Sequence, residues 1–196
     1  SAQTLSTRFN KKIGSIKSWD HNKDKWDFPV IIDNMMNLEL LFEASKITGD
    51  DTYKNIAIKH ANTTLKNHFR KDNSCYHVVS YDTITGKVKS KNTHQGYSDN
   101  SSWARGQSWA VYGFTMAYRY TKDKSYLKQA EATAQFFIKH KNMPADGIPY
   151  WDFNAPTIPN TTRDASAAAI MASALIELYT ITKKELYLKY SNKVLN

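Results

Sequence analysis

The sequence predicts an all-α fold, an α/α toroid of which these 196 residues make about half. Three observations predict it. One helical hairpin recurs along the chain, its two helices differ in polarity, and long non-helical connections separate the repeats. The repeats read "LLFEASKITGDDTYKNIAIKHANTTLKNHF", "GFTMAYRYTKDKSYLKQAEATAQFFIKH" and "SALIELYTITKKELYLKYSNKVL". Thr48, Thr121 and Thr182 align, and Tyr53, Tyr126 and Tyr187 follow at the same offset. Repeated helical hairpins build a solenoid or a closed ring.

The first helix of each repeat is apolar on most sides: "VIIDNMMNLELLFEA", "SWAVYGFTMAYRY" and "ASAAAIMASALIELY". A helix apolar all round is buried. The second is amphipathic: "TYKNIAIKHANTTLKNHF" interleaves Ile56, Lys59, His60, Thr63 and Lys66 with Ala57, Ala61 and Leu65. Two concentric layers follow, buried within and charged without, which favours a toroid over an open solenoid. Three hairpins do not close a ring. Residues 1–196 are therefore expected to be the central part of a single α/α-barrel domain, incomplete at both ends.

Between hairpins, "CYHVVSYDTITGKVKSK" alternates and holds a Thr-Gly turn, so it reads as a short β-hairpin insertion. "MPADGIPYWDFNAPTIPN" reads as a structured loop or a short strand pair. Long connections on one side of a helical ring are where sites gather.

Composition excludes several classes. With 41% hydrophobic and 23% charged residues the chain reads as globular and soluble. No uninterrupted apolar run approaches the roughly 18 residues of a membrane span. "SAQTLSTRFNKKIG" has no basic region followed by an apolar core, so no signal peptide is read in these residues. The net charge of +9 favours anionic partners, yet the lysines are scattered and no basic stripe accompanies the aromatics, which disfavours nucleic acid. The single cysteine, Cys75, excludes an intramolecular disulfide and reads as a small half-buried strand residue rather than a nucleophile. The six His show no metal-binding spacing, so no metal is expected.

The polar residues of the buried helices collect some 14 to 18 positions before the aligned Thr: Asp33, then Arg105 and Gln107, then Asp164 and Ser166. Helix N-termini carry free N–H groups and a positive dipole end. Asp164 reads as a cap, and Ser101 or Asp99 as the cap of the second buried helix. Asp33 fits capping less well. It stands among Ile31, Ile32, Met35 and Met36, where a carboxylate is costly unless paired or protonated. A functional and a structural role are equally open for it. Asp33 and Asn37 share a helix face, as do Arg105 and Trp109. Such a mouth suits a sugar, with an aromatic ring on its apolar face and polar groups on its hydroxyls. For Trp109 alone, core packing is the stronger reading.

Together "VIIDNMMNLELL", "CYHVV", "QGYSDNSSWARGQSW", "GIPYWDFNAP" and "RDASAAAI" resemble the unsaturated glucuronyl hydrolases of glycoside hydrolase family 88. The resemblance runs through essentially the whole chain. "WARGQSW" favours this family over the related unsaturated rhamnogalacturonyl hydrolases, which share the fold, usually read more like "WARGNGW" and stand as an alternative. The resemblance implies a six-hairpin barrel, a bacterial source, a cytoplasmic or periplasmic location and no cofactor. It implies an anionic, unsaturated oligosaccharide as partner, left by a polysaccharide lyase, with neither nucleic acid nor membrane. The implied reaction protonates C4 of the C4=C5 enol ether and adds water at C5. Asp33 matches the general acid/base of that family. His77, Gln95, Arg105 and Trp109 match pocket positions: Trp109 to stack on the sugar, Arg105 to meet a carboxylate or sulfate, His77 and Gln95 to orient hydroxyls or the attacking water. A second aspartate from an earlier hairpin and substrate-binding residues from a later one are also implied. Neither lies in these residues, so this segment of the catalytic domain is expected to be inactive without the missing parts of its own barrel. Two further rivals stand beside this reading. One is a conventional glycosidase pairing Asp33 with Asp99 or Asp164. The other is a helical-repeat binding scaffold without chemistry.

Overall fold

In the structure, a computed structural model that describes residues 1–195, three helical hairpins stand side by side. Before them come a short helix, α1 (Ala2–Ser6), and a two-stranded ribbon, β1 (Phe9–Asn10) and β2 (Ser15–Ile16). Strand β3 (Phe28–Ile31) leads into the first hairpin, α2 (Asn34–Thr48) and α3 (Asp51–Asn67). Strands β4 (Val78–Tyr81) and β5 (Val88–Asn92) form the expected β-hairpin, and β3 joins it to make an antiparallel sheet in the order β3-β4-β5. The second hairpin is α4 (Ala104–Thr121) and α5 (Lys124–Lys139), the third α6 (Ala165–Thr182) and α7 (Glu185–Leu195).

Helices α2, α4 and α6 form the inner layer, α4 packing against both neighbours. The α2–α4 approach is close because Gly113 has no side chain: a Cβ there would meet the Met35 Cβ at 2.3 Å. Helix α6 is long and apolar enough to cross a membrane by length and composition, which the absence of an uninterrupted apolar run concealed. Its Ala167, Ala174 and Leu175 are instead buried in the protein core, where α6 packs against α4 and α7. In the outer layer His60 departs from the outward polar face expected of it. His60 is fully buried, and its Nδ1 accepts a hydrogen bond from the Ile16 N–H at 3.0 Å, tying β2 to α3.

The recurring Thr and Tyr have physical causes. Thr48, Thr121 and Thr182 each donate their hydroxyl to the carbonyl one turn back, at 2.7, 2.8 and 2.8 Å. The next residue in each case, Gly49, Lys122 or Lys183, is left-handed, with φ of 73°, 60° and 58°. That conformation turns the chain sharply and closes the helix end. Asp50 and Asp123 then cap α3 and α5, each accepting a backbone N–H at 2.8 Å. The repeated tyrosines join neighbouring hairpins. Tyr126 of α5 donates to Asn62 of α3 at 2.7 Å, and Tyr187 of α7 donates to Glu131 of α5 at 3.1 Å. A residue whose partner lies on the preceding repeat is what a laterally stacked repeat requires.

The connection between α5 and α6 forms no named strand. It is held by single antiparallel bridges, Trp103 to Asp152 and Tyr150 to Arg163. The first of these docks the loop against the start of α4. Cys75 is fully buried outside the strands, in a bridge with Phe69. Its backbone N–H and carbonyl are both held by Gln107, and burial raises its thiol well above the ordinary range. Gln107, expected at the mouth, is thus a buried strut between α4 and the start of the β-hairpin.

Candidate active site

The site begins with sheet register. Ile31 of β3 pairs with Val78 of β4, and the next residues continue the pairing, Ile32 N–H donating to the His77 carbonyl at 3.0 Å. One residue further, the chain turns into α2 at Asp33. The register therefore sets Asp33 and His77 side by side, although they are distant in sequence. Asp33 Oδ2 and His77 Nε2 lie 3.8 Å apart, with side chains 14% and 1% exposed. That is too long for a hydrogen bond. Both atoms are buried without a hydrogen-bond partner in the protein.

Asp33 occupies the N-cap position of α2, but its side chain accepts no capping hydrogen bond and its backbone is already helical. Capping does not explain it, and an unpartnered buried polar atom calls for another account, of which a catalytic role is one. Burial raises its pKa to about 6, against the smaller opposing influences of its own backbone N–H and the positive charge of Arg105. This carboxyl keeps its proton far closer to neutrality than a free aspartate does.

His77 is prepared in the opposite sense. Its Nδ1 accepts backbone N–H groups from His94 and Gln95, each at 3.1 Å. A ring nitrogen that accepts carries no proton, so the proton of the neutral ring sits on Nε2, toward Asp33. Burial lowers the pKa of the ring to about 3, aided by His94 and His68. His77 is a neutral, fixed N–H donor. Its ring packs on Trp103 with centroids 4.5 Å apart, and Trp103 lies over Gly106, where an added Cβ would come within 2.9 Å of the indole.

Arg105, in the first turn of α4, places Nε and Nη2 on Asp164 Oδ2 at 3.1 and 3.0 Å. Asp164 Oδ1 caps α6 by accepting the Ala167 N–H at 2.8 Å, as the sequence suggests. The guanidinium also stands over the Trp103 ring at 5.4 Å. Arg105 remains half-exposed and so presents a held positive charge to the mouth.

Trp109, one turn further along α4, is half-buried and meets Tyr112 edge-on at 5.8 Å. With Met36, Asn37, Ala169 and Ile170 it lines a groove of about 480 Å³ on the inner face of α2, α4 and α6. It is not sealed in the core. Gln95 stands differently from expectation: its side chain is exposed, and the contact it supplies to the site is its backbone N–H on His77.

Two capping expectations fail. Helix α4 starts at Trp103 with no side-chain cap. Ser101 Oγ bonds Asp152 at 2.7 Å instead, and Asp99 accepts from Asn92 and from the Thr93 N–H. The start of α4 is set by the bridge to the following loop, which takes over the work of a cap. Among the described residues, no group of three or more His, Cys, Asp or Glu is placed to hold a metal ion. Sequence reasoning missed Trp103, His94 and Asp152. It also missed the aromatic cluster of Trp19, Trp26 and His94, whose ring centroids lie 5.4 to 5.7 Å apart. "SSWARG" and "YWDFN" contain two of these residues, but no local pattern distinguishes a ring that packs on a histidine from an ordinary core aromatic.

No family model matches the chain. Individual proteins do. An unsaturated glucuronyl hydrolase of Formosa agariphila is 65% identical over 196 residues, which are 100% of this chain and 49% of that protein. The crystal structure of an unsaturated glucuronyl hydrolase specific for heparin superposes with a TM-score of 0.96 at 52% identity, over 99% of this chain and 52% of the other. A variant unsaturated glucuronyl hydrolase of Streptococcus agalactiae, complexed with dGlcA-GalNAc6S, superposes with a TM-score of 0.71 at 33% identity, over 84% of this chain and 44% of the other. The chain spans about half the length of the curated relatives it matches. Along its whole length, in both sequence and fold, the chain is similar to the unsaturated glucuronyl hydrolases of glycoside hydrolase family 88, and its three hairpins are about half of their α/α toroid.

Proposed function

We propose that this chain supplies the proton-transfer centre of an enzyme that hydrates the C4=C5 enol ether of an unsaturated, uronate-terminated oligosaccharide. One observation carries the reading: Asp33, whose pKa burial raises and whose Oδ2 is buried without a hydrogen-bond partner, faces His77, a histidine held neutral. Met36 and Asn37, in the first turn of α2 just after Asp33, line the groove that Trp109 and Tyr112 wall.

Asp33 donates its proton to C4. The π electrons form the new C4–H bond and leave positive charge on C5, shared with the ring oxygen. Water bonds to C5 and returns a proton to the Asp33 carboxylate, which restores the catalyst. The hemiketal then opens and releases a keto uronate and the remaining sugar. An acid that must later act as a base needs a pKa near the working pH. Burial moves Asp33 that way. His77 is unsuited to the role, because its Nδ1 is occupied and its pKa is low. Its Nε2–H is suited to orient a substrate oxygen or the attacking water. Trp109 offers a face for the sugar ring. Arg105, fixed by Asp164, offers charge to the uronate or to a sulfate.

The same reading places residues 1–196 as the central part of one catalytic domain. The rest of the barrel supplies a second aspartate and the remaining substrate contacts. The conventional glycosidase is disfavoured, because Asp99 and Asp164 are both committed to other partners. Incubation of the intact enzyme with an unsaturated disaccharide tests the proposal. Loss of the ultraviolet absorbance of the C4=C5 bond is expected, whereas a conventional glycosidase cleaves the linkage and leaves that absorbance unchanged.

A further inference from the structure

Asp152 lies in the loop between α5 and α6, is fully buried, and touches neither Asp33 nor the groove by any recorded hydrogen bond. Its Oδ2 accepts the Tyr97 N–H at 2.9 Å and the Ser101 hydroxyl at 2.7 Å. Its Oδ1 accepts the Asn154 N–H at 2.9 Å. One carboxylate thus gathers both ends of the segment from Tyr97 to Ser101 onto its own loop.

That segment follows directly on the two backbone N–H groups that hold His77 Nδ1. Between them lies Gly96, packed so tightly that an added Cβ would stand 3.1 Å from Asp152 Oδ2, 3.1 Å from the Trp103 Cβ and 2.6 Å from the Thr93 hydroxyl. The Thr93 hydroxyl in turn accepts the Gly96 N–H at 2.7 Å. Asp152 also pairs across a β-bridge with Trp103, the residue whose ring packs on His77. The amides on His77 Nδ1 are therefore anchored through this side chain, and the indole on its face is held beside the backbone of the same residue.

We propose that Asp152 is a positioning residue: by holding the Tyr97–Ser101 segment, its carboxylate presents the His94 and Gln95 amides to His77 and so fixes the ring as the Nε2–H tautomer aimed at Asp33. A buried carboxylate with three short acceptor contacts holds its loop more firmly than neutral hydrogen bonds do. This inference rests on the functional reading above, but its test has a readout that does not.

The experiment is Asp152→Ala and the milder Ser101→Ala in the intact enzyme, read in two ways. The ¹⁵N shifts of the two His77 ring nitrogens report the tautomer directly. Wild type is expected to show Nε2 protonated and Nδ1 bare, and Asp152→Ala to show averaging between tautomers. In parallel, kcat on an unsaturated disaccharide is expected to fall roughly tenfold to a hundredfold, with KM little changed. Ser101→Ala is expected to move both readouts in the same direction by less. If Asp152→Ala folds and melts lower while the His77 shifts and kcat stay as in wild type, Asp152 is merely structural and the inference is overturned. If that variant does not fold, Ser101→Ala decides, and unchanged shifts and kcat there overturn it equally. A wild type without activity on the disaccharide sinks the functional reading alone, because the ring shifts still test the positioning.

Discussion

Asp33 Oδ2 and His77 Nε2 face each other at 3.8 Å, both buried and both without a hydrogen-bond partner in the protein. This is not an ion pair. Burial lowers the histidine's pKa to about 3 and raises that of the aspartate to about 6, so near pH 5 both groups are uncharged. Two neutral, pre-aimed groups are well placed to move a proton onto a carbon and then take one from water.

The first prediction concerns Asp33→Asn. An amide cannot donate an acidic proton, so activity is expected to fall by at least roughly 10²- to 10⁴-fold, while substrate binding and the circular dichroism of the helices persist. Normal turnover by this variant would remove Asp33 from the mechanism.

The same variant has a stability signature. A carboxyl whose pKa is raised on folding favours the folded state most below its unfolded pKa, and that favour is lost as pH rises through the folded value. For Asp33 the window runs from 3.8 to about 6. Above it the buried charge costs on the order of 2–3 kcal/mol. Asp33→Asn is therefore expected to be more stable than wild type at pH 7 and to lose that advantage toward pH 4, as denaturant titrations at the two pH values measure.

In the pH profile of kcat/KM, the descending limb reports the acid that must be protonated in the free enzyme. Its midpoint is expected near 6, where Asp33 loses its proton. A limb that stays flat well above this pH would mean that another group supplies the proton.

Trp109→Ala removes one wall of the groove. A loss of about 1–2 kcal/mol in transition-state binding, roughly five- to thirtyfold in kcat/KM, is expected from the lost apolar contact. The melting temperature is expected to change little, because the ring is half-buried rather than sealed in the core. A large drop in stability with unchanged kinetics would return Trp109 to a packing role.

Lys122 adopts a left-handed conformation that Gly49 fills in the first hairpin. Relieving that strain stabilises, and the greater freedom of glycine when unfolded offsets part of the gain. Lys122→Gly is expected to stabilise by about 0.5–1 kcal/mol in chemical denaturation, with activity unaltered, because the turn lies at the far end of α4 from Asp33.

Much of the fold was legible in local pattern. The Thr and Tyr repeat announced the three hairpins because each residue acts within a turn or on the adjacent repeat. The polar helix starts were visible because Asp33 interrupts an apolar run and Arg105 and Asp164 stand at the heads of two others. Asp164 as a cap follows from rules that reach only three residues along the chain.

The caps assigned to Ser101 and Asp99 failed for the complementary reason. A long-range bridge, Trp103 to Asp152, starts α4, and no rule confined to neighbouring residues contains it. The same limit hid the backbone role of Gln95 and the meeting of Trp103 with His77.

The sequence by itself determined the ring of hairpins, the family resemblance and the candidacy of Asp33, because helix periodicity, turn chemistry and a carboxyl in an apolar run are local facts. Only the tertiary structure decided what Asp33 faces. The register of β3 on β4 brings His77 to it, and the folded loop from Thr93 to Trp103 sets where that histidine keeps its proton. Those outcomes depend on contacts between segments far apart in the chain, where one residue's slip in register would turn His77 to the opposite face of the sheet.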